Sequence, residues 1–304
     1  MKKRAFVPNT PHHVYFISSD GSVLFYRVSD RLSFYTTLSV LAKRYKVTVT
    51  GVAIMFTHVH LMVQAADLAQ FRQFMSCLLQ AFSRILRQDR GLTGPVFRSP
   101  FGSAPQVSSK RQRSSLIYLL NNPVEKHLCN KAVQDRWNFL AYYDNPHPFS
   151  KQLVKRNVSE HLRDACSLVE AEARAGRFLR PALLRHLLRI LIREEQEQLT
   201  DHIIWQYRFI DFETAIALFG GYDRLLRTTE ETNGQEFGVG ETGDSGSDTA
   251  YLEMAGMAAR AGLFENWALL HLDPDQQQAW FRKFRTHTHA TDWQIRKFLG
   301  IRER

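Results

Sequence analysis

Ile54-Met55-Phe56-Thr57-His58-Val59-His60-Leu61-Met62-Val63 is the stretch on which the fold turns. It is an apolar run broken by two histidines. On a strand, residues two apart share a face. His58 and His60 therefore point one way, and Val59 points into the packed side. The segment before it, Lys46 to Phe56, is rich in Val and Thr, and Gly51 marks a bulge. A tight turn near Thr57 joins the two segments as neighbouring strands.

Working outward, His13-Val14-Tyr15-Phe16-Ile17-Ser18 has β composition. Ser19 to Ser22 supplies turn chemistry, and Val23 to Tyr26 resumes the β pattern. Leu32, Tyr35, Leu38 and Leu41 recur at helical spacing across 29–45, after Ser29-Asp30 as start signals. A second helix is predicted over 67–90, capped by Asp67 and burying Phe71, Met75, Leu78, Phe82 and Ile85. Gly91 to Gln106 holds three prolines and three glycines and reads as a loop. A third helix begins near Ser114 or Ser115 and runs through Leu116 to Asn122, where Pro123 kinks or ends it. Strands and helices in this order predict an α+β domain over residues 1–150, an antiparallel sheet with helices packed on it.

The remainder reads as all-α. Residues 151–228 form a helical region, 229–250 an acidic flexible linker rich in Gly, Ser and Thr, and 251–304 a C-terminal helical region. Thr291 is a good N-cap there, and Ile295, Phe298 and Leu299 form a packing face. The segment resembles the first helix of a helix-turn-helix, but Arg304 stands where a recognition helix would begin. A packing helix is the preferred reading.

Charge divides the chain in the same place. Residues 1–150 carry 19 Lys and Arg against seven Asp and Glu, while 151–304 carry 21 against 23, so the excess of +10 lies wholly in the first half. A basic unit of this kind suits a polyanion such as nucleic acid, although an idle basic surface has the same composition. No apolar run approaches the roughly 18 residues of a membrane span. The basic start, Met1 to Arg4, leads into Val7-Pro8-Asn9 rather than an apolar segment, so no secretory signal is expected. Cys77, Cys129 and Cys166 are far apart and odd in number, which fits a reducing cytoplasm.

Chemistry concentrates in two places. Two neutral imidazoles at the spacing of His58 and His60 can hold one divalent cation, and they can equally be buried core residues. A second pair, His287-Thr288-His289, lies in a polar stretch and reads as chance. Tyr118 alone is a core tyrosine. Asn122, one helical turn on, shares its face and can offer an amide oxygen to a hard cation. A metal held by His58, His60 and Asn122 beside a phenol suits attack on a phosphodiester, with Tyr118 as nucleophile.

Four segments in this order resemble the single-tyrosine HUH transposases, in particular the REP-associated tyrosine transposases and their insertion-sequence relatives. They are His58-Val59-His60-Leu61-Met62-Val63, Gly94-Pro95-Val96-Phe97-Arg98 with Phe101, Tyr118-Leu119-Leu120-Asn121-Asn122-Pro123-Val124, and Trp137 with Phe139. The resemblance spans roughly residues 1–145. It implies a ferredoxin-like antiparallel sheet of HUH endonuclease type and a Mg²⁺ or Mn²⁺ ion. It implies cleavage of single-stranded or hairpin-bearing DNA through a transient 5′-phosphotyrosine that leaves a free 3′-hydroxyl. The chain departs from the family at Thr57, where Asn or Asp is usual, and at Leu120, often His. Its Ser109 to Arg113 segment is also unusually basic.

The expected DNA path comprises Lys2, Lys3, Arg4, Arg98, Lys110, Arg111 and Arg113, with Phe97 and Phe101 placed to stack unpaired bases. The sequence reading is therefore a cytoplasmic, nucleoid-associated strand transferase, a monomer or homodimer with no membrane partner. Its rivals are a non-catalytic nucleic-acid-binding descendant and a metal-dependent nuclease in which water attacks.

Overall fold

The computed structural model describes residues 5–19, 21–98, 101–232 and 247–301. Four strands, β1 (His12–Ile17), β2 (Thr48–Ile54), β3 (His58–Gln64) and β4 (Gly102–Pro105), form one sheet in the order β2-β3-β1-β4. Every pairing is antiparallel. Helix α1 (Val28–Tyr45) joins β1 to β2, and α2 (Leu68–Arg90) joins β3 to β4. The chain is α+β, as expected.

Alternation along the strands gives the sheet two different faces. Val14, Phe16, Val59, Leu61 and Val63 pack with Leu32, Phe34 and Leu38 of α1 and Phe74, Leu78 and Phe82 of α2 in the largest core. Ala53 and Met62 face the other way, against Leu116, Ile117, Leu119 and Leu120 of α3 (Ser109–Glu125). Gly51 brings α3 close. A Cβ there would stand 2.7 Å from Leu116 Cδ1, and the β2–β3 register shifts between Val49 and Gly51, the expected bulge. Asp67 caps α2, its carboxylate accepting the Gln70 N–H at 2.8 Å.

Three boundaries differ from the sequence reading. Val23 to Tyr26 is buried but is not a strand: the amides of Leu24 and Phe25 both donate to the single carbonyl of Phe56, and that of Tyr26 donates to the Asp30 carboxylate. The stretch 91–106 is not wholly loop, because Gly102 to Pro105 fills the free edge of β1. Helix α3 begins about a turn and a half early, since Ser108 already caps it by accepting the Arg111 N–H. Pro123 is accommodated within α3, which continues to Glu125.

Helices α4 (Glu160–Arg174), α5 (Pro181–Arg189) and α6 (Arg193–Gln206) extend the largest core, through Leu162, Leu184, Leu199 and Ile203. They enclose α1 so fully that it is buried without a break from Ser29 to Ala42. Its polar groups are met across that contact. Tyr35 Oη donates to the Ile204 carbonyl, Ser39 Oγ donates to that of Tyr207, and Thr36 Oγ1 accepts the Leu179 N–H. Helices α7 (Phe212–Ala217) and α8 (Tyr222–Glu231) pack on α3 through Ala215, Ile216 and Leu225. Of the expected 229–250 linker, Thr229 to Glu231 complete α8 and Thr249 opens α9 (Thr249–Arg260), while 233–246 lie outside the described residues. Helices α9, α10 (Pro274–His287) and α11 (Asp292–Leu299) build a further core with Tyr26 and Phe56. Thr291 caps α11, and Ile295, Phe298 and Leu299 are its buried face. No helix among the described residues is long and apolar enough to cross a membrane.

Candidate functional site

The β2–β3 turn sets the site. The Met55 N–H donates to the His58 carbonyl at 3.0 Å, so β3 opens on His58. Val59 and Leu61 enter the core shared with α1 and α2, which turns His58 and His60 toward α3. The two imidazoles lie 4.9 Å apart, nearly perpendicular. Tyr118, midway along α3, places its ring edge-on to His60 at 5.4 Å. The structure thus brings His58, His60 and Tyr118 into one cluster.

It also adds a residue that the sequence reading missed. His13 lies on β1 across from Met62 and so presents its imidazole to the same face. Its Nε2 is 3.0 Å from His60 Nδ1, and its ring is 5.7 Å from that of Tyr118. Only the β1–β3 pairing joins positions 47 residues apart. The available signal was that two histidines open β1, on alternate faces of a strand. His12 points to the opposite side, stacked on Phe6.

The cluster is polar and enclosed. Exposure is 8% for His58, 1% for His60 and 4% for Tyr118; Asn122, one helical turn beyond Tyr118 on α3, is likewise buried at 1%. Thr57 Oγ1 lies 3.0 Å from His58 Nδ1. A proton on each Nδ1, donated to Thr57 and to His13, leaves the lone pair of each imidazole at Nε2. Both Nε2 atoms are buried. Asn122 Oδ1, one turn beyond Tyr118, is buried and accepts no hydrogen bond. Leaving an amide oxygen in that state costs about 1–3 kcal/mol, which a cation would offset. Two imidazole nitrogens and an amide oxygen are donors of the kind a divalent ion takes. Among the described residues no group of three or more His, Cys, Asp or Glu is arranged to hold a metal, so a site here needs the asparagine.

The residues expected along a DNA path separate into three groups. Lys2, Lys3 and Arg4 lie outside the described residues. Lys110 and Arg113, with Ser114, Ile117, Phe219 and Thr228, line a cleft of about 450 Å³ between α3 and the α7–α8 helices. Arg111 opens the same helix and is exposed, as is Arg98. Eight residues of helix separate Lys110 from Tyr118, about 12 Å along the axis. Phe97 cannot stack bases: it is a core residue, T-shaped to Phe16 and stacked on Phe82. Its backbone bridges Ser18, which fixes its side chain inward. Phe101 is half-buried against Phe71.

Two other candidate groups are paired elsewhere. Tyr142 Oη donates to Asp201 Oδ1 at 2.6 Å, and burial raises its hydroxyl well above the ordinary range. His289 of the second histidine pair binds Glu253 at 2.9 Å on the surface.

No family model matches the chain, and no characterised protein matches it in sequence. A solved structure described as "Structure of the REP associates tyrosine transposase bound to a REP hairpin" is similar over 45% of this chain and 80% of that one. The two are 10% identical, with a TM-score of 0.37, a likeness too slight to assign an activity.

Proposed function

We propose that the chain is a metal-dependent single-strand DNA endonuclease and strand transferase, with Tyr118 as nucleophile and His58, His60 and Asn122 as ligands of Mg²⁺ or Mn²⁺. The observation that carries this reading is the packing of a phenol edge-on to one of a pair of hydrogen-bonded imidazoles; Asn122, one helical turn beyond Tyr118, adds a buried amide oxygen with no hydrogen bond. The succession β1-α1-β2-β3-α2-β4 with strand order β4-β1-β3-β2 supports a ferredoxin-like sheet. The +12 balance of residues 1–150 supports a polyanionic substrate.

When bound, the ion supplies charge neutralisation at the scissile phosphate. The protein's own part is positional. His13 and Thr57 hold the two imidazoles by their Nδ1 atoms, and α3 holds Tyr118 against His60. The Tyr118 hydroxyl oxygen attacks phosphorus, and the bond from phosphorus to the 3′ oxygen breaks. The tyrosyl proton is lost and the leaving oxygen gains one, giving a 3′-hydroxyl and a 5′-phosphotyrosine. Attack by a 3′-hydroxyl reverses the step and joins the strands. Because Tyr118 is buried, a strand reaches it only after this face opens.

That burial favours a second reading, a nucleic-acid-binding protein in which the cluster is structural. Covalent capture separates the two. Hairpin-bearing single-stranded DNA is incubated with Mn²⁺ and run on a denaturing gel. A protein–DNA adduct supports the transferase; DNA binding with no adduct supports the second reading.

A further inference from the structure

Val14 and Phe16 lie in the core, so Tyr15 between them must point to the opposite face, the one that carries His60. Tyr15 pairs with His60 across β1–β3 and with Gly102 across β1–β4, and its ring is 6.3 Å from the His60 imidazole. It is 40% exposed, while His13 and His60 beside it are buried. Tyr15 is therefore a point at which, among the described residues, the enclosed cluster meets solvent.

The ring lies over Gly102. A Cβ built there would come within 1.9 Å of the ring, so only glycine leaves it room. Arg98 is exposed and stands on the same edge of β1, its amide donating to the Ile17 carbonyl at 3.0 Å. An exposed aromatic ring with an exposed basic residue on the adjoining backbone is a combination suited to unpaired nucleic acid, the ring taking a base and the cation a phosphate.

We propose that Tyr15 is a stacking platform for one unpaired nucleobase at the mouth of the histidine cluster. The inference rests on the proposed single-stranded substrate but needs neither the metal nor the covalent step. A purely structural role also exists, because an aromatic ring covering a cross-strand glycine stabilises a sheet. Leucine can cover Gly102 but has no π face, whereas phenylalanine and tryptophan have both.

The test is binding of a fluorescent single-stranded oligonucleotide in EDTA to the full chain and to Tyr15→Phe, Tyr15→Trp and Tyr15→Leu, each checked for folding by thermal unfolding. Tyr15→Phe and Tyr15→Trp are expected to stay within about twofold of the parent. Tyr15→Leu is expected to bind roughly 5- to 150-fold more weakly, the range for one lost stack. Should Tyr15→Leu not fold, Gly102→Ala displaces the ring from its seat and takes its place in the comparison. Leucine binding within twofold of the parent overturns the proposal, as does equal weakening by Phe, Trp and Leu. If the parent binds no single strand, both this inference and the proposed substrate fail. If the parent binds but forms no adduct with Mn²⁺, the transferase reading fails while the platform stands.

Discussion

Tyr118→Phe removes one oxygen and leaves a ring of the same shape edge-on to His13 and His60. No packing is lost, so the stability cost is that of one hydroxyl, about 1 kcal/mol. For a chain of this length that shifts the unfolding midpoint by roughly 2 °C. Tyr118→Ala, by contrast, empties a ring-sized volume beneath α3 and is expected to cost about 3–5 kcal/mol. The assay pairs thermal unfolding with covalent capture on hairpin DNA in Mn²⁺. Expected is a phenylalanine variant that folds, binds DNA as the parent does and gives no adduct. An adduct at parental levels would refute the reasoning. Tyr142 would not be the substitute, because it is committed to Asp201 and its raised pKa disfavours the phenolate; Tyr15, exposed beside His60, would be the next residue to test.

His58→Ala and His60→Ala are each expected to abolish Mn²⁺-dependent cleavage while leaving most DNA affinity, since phosphate contacts supply most of it; equal loss of both would mark a structural role. His13→Phe should weaken Mn²⁺ binding about 10- to 100-fold by titration calorimetry, with His13→Gln recovering part of it, because the hydrogen bond to His60 would orient a ligand of the proposed metal site. Replacing Lys110 and Arg113 together should lower the salt slope of single-strand binding by about 1.4, the share of two phosphates; an unchanged slope removes the α3 cleft from the DNA path. Gly51→Ala is expected to destabilise by about 1–3 kcal/mol in denaturant, as the new methyl meets Leu116. Asp135 has its carboxyl pushed up to about 6 by burial, which Arg31 opposes. Its protonated form is thus favoured on folding, so its contribution is full below pH ~4 and is lost as pH rises through about 6. Asp135→Asn should flatten stability over that window.

Local periodicity carried far in the sequence, and stopped where structure depends on distant partners. The faces of β3 follow from a two-residue period, and α1 and α2 from helical spacing and the Asp67 cap. Gly-Ser-Ala-Pro at 102–105 contains nothing that favours a strand; it is one because β1 has a free edge beside it. Val23 to Tyr26 has strand composition without a strand to pair with. Phe97 next to Arg98 read as a surface aromatic, and a single bridge to Ser18 turns it inward. His13 and Tyr15 join the cluster only through the β1–β3 register, which no local pattern encodes.

The enclosure of α1 bears on how such a chain can be inherited. A helix on a protein's outside tolerates exchange of whatever lies next to it. Here Tyr35, Thr36 and Ser39 hand their hydrogen bonds to residues 204, 179 and 207. A gene fragment ending near residue 150 would encode the entire sheet and the histidine cluster, yet leave those hydroxyls and the adjoining apolar surface facing water. Fusion, truncation or shuffling at that point would therefore require α1 to be rewritten at the same time. The basic half is where the charge resides, and its helix α1 is bonded to residues beyond it.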